Sequence, residues 1–480
     1  MAIQYLLGNK LQTVEPAAPT ETVLDHLRQR QHRMGTKEGC AEGDCGACTV
    51  VVAEIEDGAL VYRAVNSCIQ FVGTLDGKQL ITVEDLQAED GSLHPVQQAM
   101  VDAHASQCGF CTPGIVMSLF ARYKNAKADD AQQTADALAG NLCRCTGYGP
   151  VIKAAELSLA ARVPDRFDIA HADTLAILRH IAPAKVAPGY FAPRSTVELA
   201  ELYAAHPDAT LVAGGTDVGL WVTKQQRRLD PIISLGAVAD LKEIVETPTH
   251  LTIGAGVTYA QLLPTLAPHW PDFAEIVRRL GSTQIRNVAT IGGNIANGSP
   301  IGDGPPCLIA LGATLILRRG AHHRCMPLED YFIAYGRQDR RPGEFVEAVH
   351  VPKPEPGWHF RAHKISKRFD QDISAVLGAF HVKHEAGRIA DIRIAFGGMT
   401  GTPKRALAVE AALRGKPWSG ATIAQALPFF DIDYQPICDM RASAAYRGKI
   451  ARNLLRKFHL ELTQPEMESR VVFAGRQAHG

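Results

Sequence analysis

The spacing of apolar and polar positions changes several times along the chain, and each change marks a different kind of element. Tyr5-Leu6-Leu7 and Leu11-Gln12-Thr13-Val14 flank Gly8-Asn9-Lys10, a short link suited to an opening β-hairpin. Thr20 and Thr22 can cap a helix that carries Val23, Leu24 and Leu27 and ends before Gly35. Thr49-Val50-Val51-Val52-Ala53 reads as a strand, Asp57-Gly58 as its turn and Leu60-Val61-Tyr62 as the return. Hairpin, helix and further strands in this order predict a ferredoxin-like β-grasp domain over residues 1–82. The pattern then turns helical. Pro95 opens a helix through Ala105, and Thr112 caps a helix from Gly114 to Tyr123 with Pro113 at its first position. Two more helices cover Ala131 to Leu138 and Pro150 to Ala161, so 83–163 predicts a small helical bundle.

A connector over 164–192 carries Pro164, Pro183 and Pro188, with one helix around Asp173 to His180. From Ser195 helix and strand alternate. Leu211-Val212 is a strand entering Ala213-Gly214-Gly215-Thr216-Asp217-Val218, and Thr290-Ile291-Gly292-Gly293-Asn294-Ile295 reads as a second unit of that kind, within an α+β domain over 193–355. Past Gly357, strand-like Ala375 to Phe380 predicts a C-terminal α+β domain over 356–465, followed by a tail at 466–480. The fold class is multidomain α+β, as a length of 480 residues requires at roughly one domain per ~150 residues.

Charge adds little, since 50 basic residues balance 50 acidic ones and no global field favours nucleic acid or anionic lipid. The nearly apolar stretch from Cys307 to Leu317 falls well short of the ~18 residues of a membrane span. The first residues show no basic segment followed by an apolar one, so the expected location is cytoplasmic.

Cysteine placement changes the picture most. Eight of the 11 cysteines form two sets. Cys40, Cys45, Cys48 and Cys68 follow the C-x4-C-x2-C pattern with a distant fourth cysteine, the spacing of a plant-type 2Fe-2S ferredoxin. Cys108, Cys111, Cys143 and Cys145 come from two inter-helix loops. A helix starting at Pro113 would aim its N-terminal N–H groups at that second site and offset thiolate charge. Zinc is the competing metal, but structural zinc sites usually pair C-x2-C units. Cys307, Cys325 and Cys438 lie outside both sets and read as structural thiols. The Gly-Gly pairs do not form a G-x-G-x-x-G fingerprint; they are either tight turns or places of close backbone approach to a pyrophosphate.

The strings Thr36 to Thr49, Gln107 to Gly114 and Asn141 to Tyr148 resemble the paired iron–sulfur domains of the molybdenum hydroxylases, the family of xanthine dehydrogenase, aldehyde oxidase and the carbon monoxide dehydrogenase of aerobes. Leu211 to Val218, Thr290 to Asn294 and Ser299 to Asp303 resemble the flavin domain of xanthine dehydrogenase, so the likeness covers nearly the whole chain. It implies an FAD-binding domain of the molybdenum-hydroxylase flavoprotein type. Leu211, Val212, Ala213, Gly214, Gly215, Thr216, Asp217 and Val218 would hold the pyrophosphate, with Thr290, Ile291, Gly292, Gly293 and Asn294 on the other side of the dinucleotide. Leu280 matches a ring-side position that is aromatic in animal members, and Asp303, Val346 and Lys364 match further flavin contacts. Gln107 would bond the pterin; from spacing it is equally a solvated helix-end amide.

No molybdenum-binding portion follows the flavin region, so the resemblance implies a small subunit of the bacterial xanthine dehydrogenase kind. Its molybdopterin would sit on a large partner subunit, in a heterotetramer of two small and two large chains. Electrons would pass from a purine through two 2Fe-2S clusters to FAD and then NAD, whose phosphates Lys364, Lys367 and Arg368 could attract. No catalytic acid, base or nucleophile is expected in this chain. The alternatives are the same role with an aldehyde or N-heteroaromatic substrate, and a zinc-stabilised nucleotide-binding scaffold.

Overall fold

The computed structural model describes residues 2–15, 18–126, 130–181, 189–467 and 469. Strands β1 (Ile3–Leu7), β2 (Lys10–Val14), β3 (Thr49–Glu56), β4 (Ala59–Asn66) and β5 (Gln79–Ile81) form one sheet in the order β2-β1-β5-β3-β4. Only β1 and β5 run parallel, which is β-grasp topology. Successive residues of a strand face opposite ways, and here both faces are buried. Ile3, Tyr5, Val50 and Val52 join a core that reaches Tyr190, Val212 and Ile232 of the flavin-domain region. Leu6, Val51, Ala53 and Tyr62 join the core of the helical bundle. An unbroken Val50-Val51-Val52-Ala53 is the pattern that two-sided burial demands.

Thr22, and not Thr20, caps the helical segment after the hairpin: its hydroxyl accepts from Asp25 N, and from His26 to Arg30 the turn widens to π geometry. The bundle contains Pro95–Asp102, Thr112–Asn125, Ala131–Leu138 and Gly149–Ala160. Its first helix stops short of Ala105 because His104 turns left-handed (φ 51°) and Ala105 N bonds back to Met100 O. The second helix begins one residue early. Cys111 occupies the cap, while the Thr112 hydroxyl bonds Ser106 at 2.7 Å instead. Phe120 sits at the bundle's centre with Tyr62, His94 and Phe167 around it at ring distances of 6.3, 5.2 and 5.2 Å. The stretch read as a connector contributes helices Arg166–Ile169 and His171–His180, whose Phe167 and Leu178 are buried in this same core. Pro183 and Pro188 lie outside the described residues.

The flavin-domain region pairs a parallel sheet (Tyr190–Phe191, Ile232–Ser234, Thr210–Val212) with a five-stranded sheet centred on Phe345–Pro352. Thr290 to Ile295 is not a strand. Thr290 caps the helix Ile291–Asn297 by accepting from Gly293 N at 3.0 Å, and two adjacent glycines hide the helical period from a pattern reading. The C-terminal region is a four-stranded antiparallel sheet that includes Val376–Glu385, packed by the helix Ala444–Thr463 with Phe458 stacked on Phe380 at 5.1 Å. No helix among the described residues is long and apolar enough to cross a membrane.

Phe120 is fully buried where sheet and bundle meet. Phe120→Ala should therefore cost about 3–5 kcal/mol, read as a lower denaturant midpoint by circular dichroism.

Candidate cofactor sites

The first cysteine loop is shaped by backbone that only glycine permits. Gly43 and Gly46 have φ of 78° and 69°, and a Cβ on Gly39 would stand 2.8 Å from Cys45 Sγ. The loop turns three N–H groups, of Glu42, Asp44 and Cys45, onto Cys40 Sγ at 3.4, 3.3 and 3.3 Å. Thiol hydrogen bonds from Cys45 and Cys68, and then these N–H groups, hold Cys40 well below the usual thiol range. Cys48 and Cys68 are buried with their sulfurs 3.3 Å apart, and Asn66 Nδ2 lies 3.7 Å from Cys48 Sγ. Four sulfurs in one loop region, with backbone donors on Cys40 and an amide beside Cys48, fit a thiolate-ligated iron–sulfur cluster.

At the second loop pair, Cys111 meets Cys143 and Cys145 meets Cys108. Burial, with help from Cys143, pushes the Cys111 thiol up to about 12. Cys143 Sγ lies 3.1 Å from Thr146 Oγ1, and its backbone N–H donates to Tyr148 Oη at 2.7 Å. Among the described residues no three His, Cys, Asp or Glu side chains converge as ligands of one ion; at this second set the thiol contacts run pairwise. Cys108, Cys145, Gln107 and Arg144 are exposed, and Phe110 and Leu142 beside them are 47% and 59% exposed. Gln107 thus faces solvent at the rim of this set.

The two loops touch. Leu142 N donates to Cys45 O at 2.9 Å, and Asn141 Nδ2 to Gly46 O at 3.1 Å. On its other side the first set meets the flavin-domain region, with Gln70 Nε2, two residues past Cys68, donating to Gly214 O at 2.8 Å and Thr223 Oγ1 to Ala41 O of the loop at 2.8 Å.

Gly214 and Val288 pack backbone to backbone: a Cβ on Gly214 would stand 1.8 Å from Val288 O. The loop from Leu211 to Val218 is thereby held against the segment that leads into Thr290. Burial raises the Asp217 carboxyl, partly opposed by an Asn297 hydrogen bond. Asn294 accepts from Tyr259 Oη at 2.8 Å and lies beside Gly302 and Gly304, which bracket Asp303. Asp303 takes Lys364 Nζ at 2.6 Å and Ser374 Oγ at 2.5 Å, and Lys364 also donates to the carbonyl of Arg279, the residue before Leu280. Val346 lies on the strand against which the helix Ile291–Asn297 packs. Direct contacts thus join the Leu211 to Val218 loop to the segment leading into Thr290, and Asn294 to the glycines on either side of Asp303, which holds Lys364.

Lys364 departs from expectation. It is buried and committed to Asp303, so it cannot attract a nucleotide phosphate from solution; Lys367 and Arg368 stay exposed. Gly292 serves packing, since its Cβ would lie 2.3 Å from Ala255 Cβ. Asn66 and Gln70 carry no sequence signal because ordinary amides form no pattern, and Asn141, though it opens the string that holds Cys143 and Cys145, shows its bonding only in tertiary contact.

Cys45→Ser should alter one paramagnetic iron–sulfur signal and Cys111→Ser a different one, because the two ligand sets sit in unlike scaffolds; electron paramagnetic resonance of the reduced protein reads this. Gly214→Ala should release flavin while iron content holds, measured by absorbance and metal analysis, since the added methyl forces the two loops apart.

Four family models match the chain in order: a 2Fe-2S iron–sulfur cluster binding domain at 7–72, a [2Fe-2S] binding domain at 82–156, an FAD binding domain in molybdopterin dehydrogenase at 184–354, and a CO dehydrogenase flavoprotein C-terminal domain at 361–462. Xanthine dehydrogenase of Drosophila subobscura is 34% identical over 461 aligned residues, covering 83% of this chain and 34% of that protein. The Emericella nidulans enzyme is 31% identical, covering 97% and 39%. The chain thus spans little more than a third of the length of these curated relatives. Among solved structures, reconstituted CO dehydrogenase from Oligotropha carboxidovorans is 27% identical with a TM-score of 0.53, covering 57% of this chain and 96% of that one. Quinoline 2-oxidoreductase from Pseudomonas putida 86 is 26% identical with a TM-score of 0.53, covering 59% and 99%. Domain order, relatives and solved neighbours agree: the protein belongs to the molybdenum hydroxylase family, as its iron–sulfur and FAD-binding part.

Proposed function

We propose that this chain is the electron-transfer component of a xanthine dehydrogenase, carrying electrons from purine oxidation at a molybdopterin centre on a separate large chain to FAD and on to NAD. One observation carries this reading, the nesting of the candidate sites. Cys108 and Cys145 open the second set to a surface where Phe110 and Leu142 are exposed, whereas Cys40, Cys45, Cys48 and Cys68 lie between that set and the flavin-domain region. Gln107 and Arg144 stand on the open rim, where a pterin-bearing partner would approach.

FAD supplies the junction between one-electron carriers and a two-electron hydride acceptor. The chain's own part is to fix positions: Gly214 lets the Leu211 to Val218 loop close on Val288, Asp303 and Lys364 form a dry wall beside Leu280, and Lys367 and Arg368 present positive charge to an incoming nucleotide. A partner carrying the molybdenum centre accords with the solved neighbours, in which a segment equal to 57% of this chain accounts for 96% of a whole chain. Two copies of each chain would complete a heterotetramer. The likeness to quinoline 2-oxidoreductase supports a second reading, the same role with an N-heteroaromatic substrate.

Steady-state assays decide between these outcomes. The isolated chain should pass electrons from reduced nicotinamide to an artificial dye and leave xanthine untouched, and the reconstituted complex should reduce NAD with xanthine. Xanthine turnover by the isolated chain would refute the division of labour. A complex that prefers quinoline would refute the substrate, and one that uses oxygen but ignores NAD would refute the acceptor.

A further inference from the structure

Gln284 belongs to the short helix Thr283–Arg286 of the flavin-domain region, and it is fully buried. Its Nε2 faces Thr49 Oγ1 at 3.2 Å, Ser118 Oγ at 3.0 Å and Asn141 Oδ1 at 3.1 Å. These three partners come from two other domains. Thr49 follows the cluster-loop residue Cys48, Ser118 lies in the helix that starts at the second set, and Asn141 stands two residues before Cys143.

The polarity of this junction is fixed. Thr49 spends its hydroxyl proton on Gly46 O at 2.7 Å, and Ser118 spends its own on Asn141 Oδ1 at 2.6 Å. Asn141 Nδ2 points to Gly46 O and Thr49 Oγ1. All three groups therefore offer only lone pairs to the newcomer, and an amide NH2 meets them where a carboxylate cannot. Gly140 leaves the room, because a Cβ there would stand 2.2 Å from Gln284 Oε1.

We propose that Gln284 is a positioning residue for electron transfer, a single side chain of the flavin-domain region that locks both cluster loops to that region without touching a cofactor. The inference rests on the proposed two-cluster and flavin reading. Bound clusters would pass electrons singly to a bound flavin that takes two, and the part of Gln284 would be to hold the loops that carry the clusters in place for those transfers.

The test compares Gln284→Glu, nearly isosteric but without the NH2 donors, and Ser118→Ala, which removes one partner, with the parent full-length chain carrying iron and flavin. Iron and flavin contents and the midpoint potentials should stay as in the parent. Amide hydrogen exchange at Leu142 and across 44–49 should quicken about tenfold, the scale expected when a buried polar group loses its partner. Magnetic coupling between the two centres should weaken, and flavin reduction after rapid reduction of the clusters should slow. Unchanged exchange and coupling in Gln284→Glu would overturn the proposal, as would loss of iron or flavin from both variants, which would mark a role in cofactor retention. A parent chain that binds neither clusters nor flavin would instead refute the underlying function.

Discussion

The structure depends on a β-grasp sheet whose central strands are buried on both faces. Because alternate side chains of β1 and β3 enter two different cores, the sheet joins the helical bundle to the flavin-domain region as the middle layer of a three-part body. A shift of one residue in any central strand would exchange both cores at once, so register is strongly specified. The first cysteine loop leads into β3 of this layer, and the second set sits between helices of the bundle packed on it, so the sheet stands behind the placement of both.

What the sheet sets coarsely, backbone contacts set finely. Gly46 O accepts from Asn141 and Thr49, and Gly114 at the start of the bundle helix leaves no room for a Cβ, which would stand 2.2 Å from that same oxygen. Gly214 makes an equally close approach to Val288 on the far side. Dispersion and hydrogen bonding at such separations tolerate no added methyl group, so these glycines define distances between neighbouring sites as firmly as the ligands define the sites themselves.

Much of this architecture is legible in the amino-acid sequence. The cysteine spacing, the opening hairpin and the bundle helices follow from local rules that act within a few residues. The departures have physical causes of the opposite kind. Thr290 to Ile295 looks like strand-and-loop because two glycines erase its helical period, and only Ala255 packing beside Gly292 explains them. Lys364 looks like part of a basic run, yet its burial is decided by Asp303 and Ser374, the first of them distant in sequence. Gln284 carries no signal at all, since its partners come from three other segments of the chain.

The two cysteine sets also differ in when they can be reached. Cys48 and Cys68 share a small buried core with Leu24 and Ile69, against which Leu220 and Ile285 of the flavin-domain region pack. Cys108 and Cys145 remain open at the surface. In the folded chain a thiol reagent meets Cys108 and Cys145 directly, and Cys48 and Cys68 only when Leu220 and Ile285 move off them.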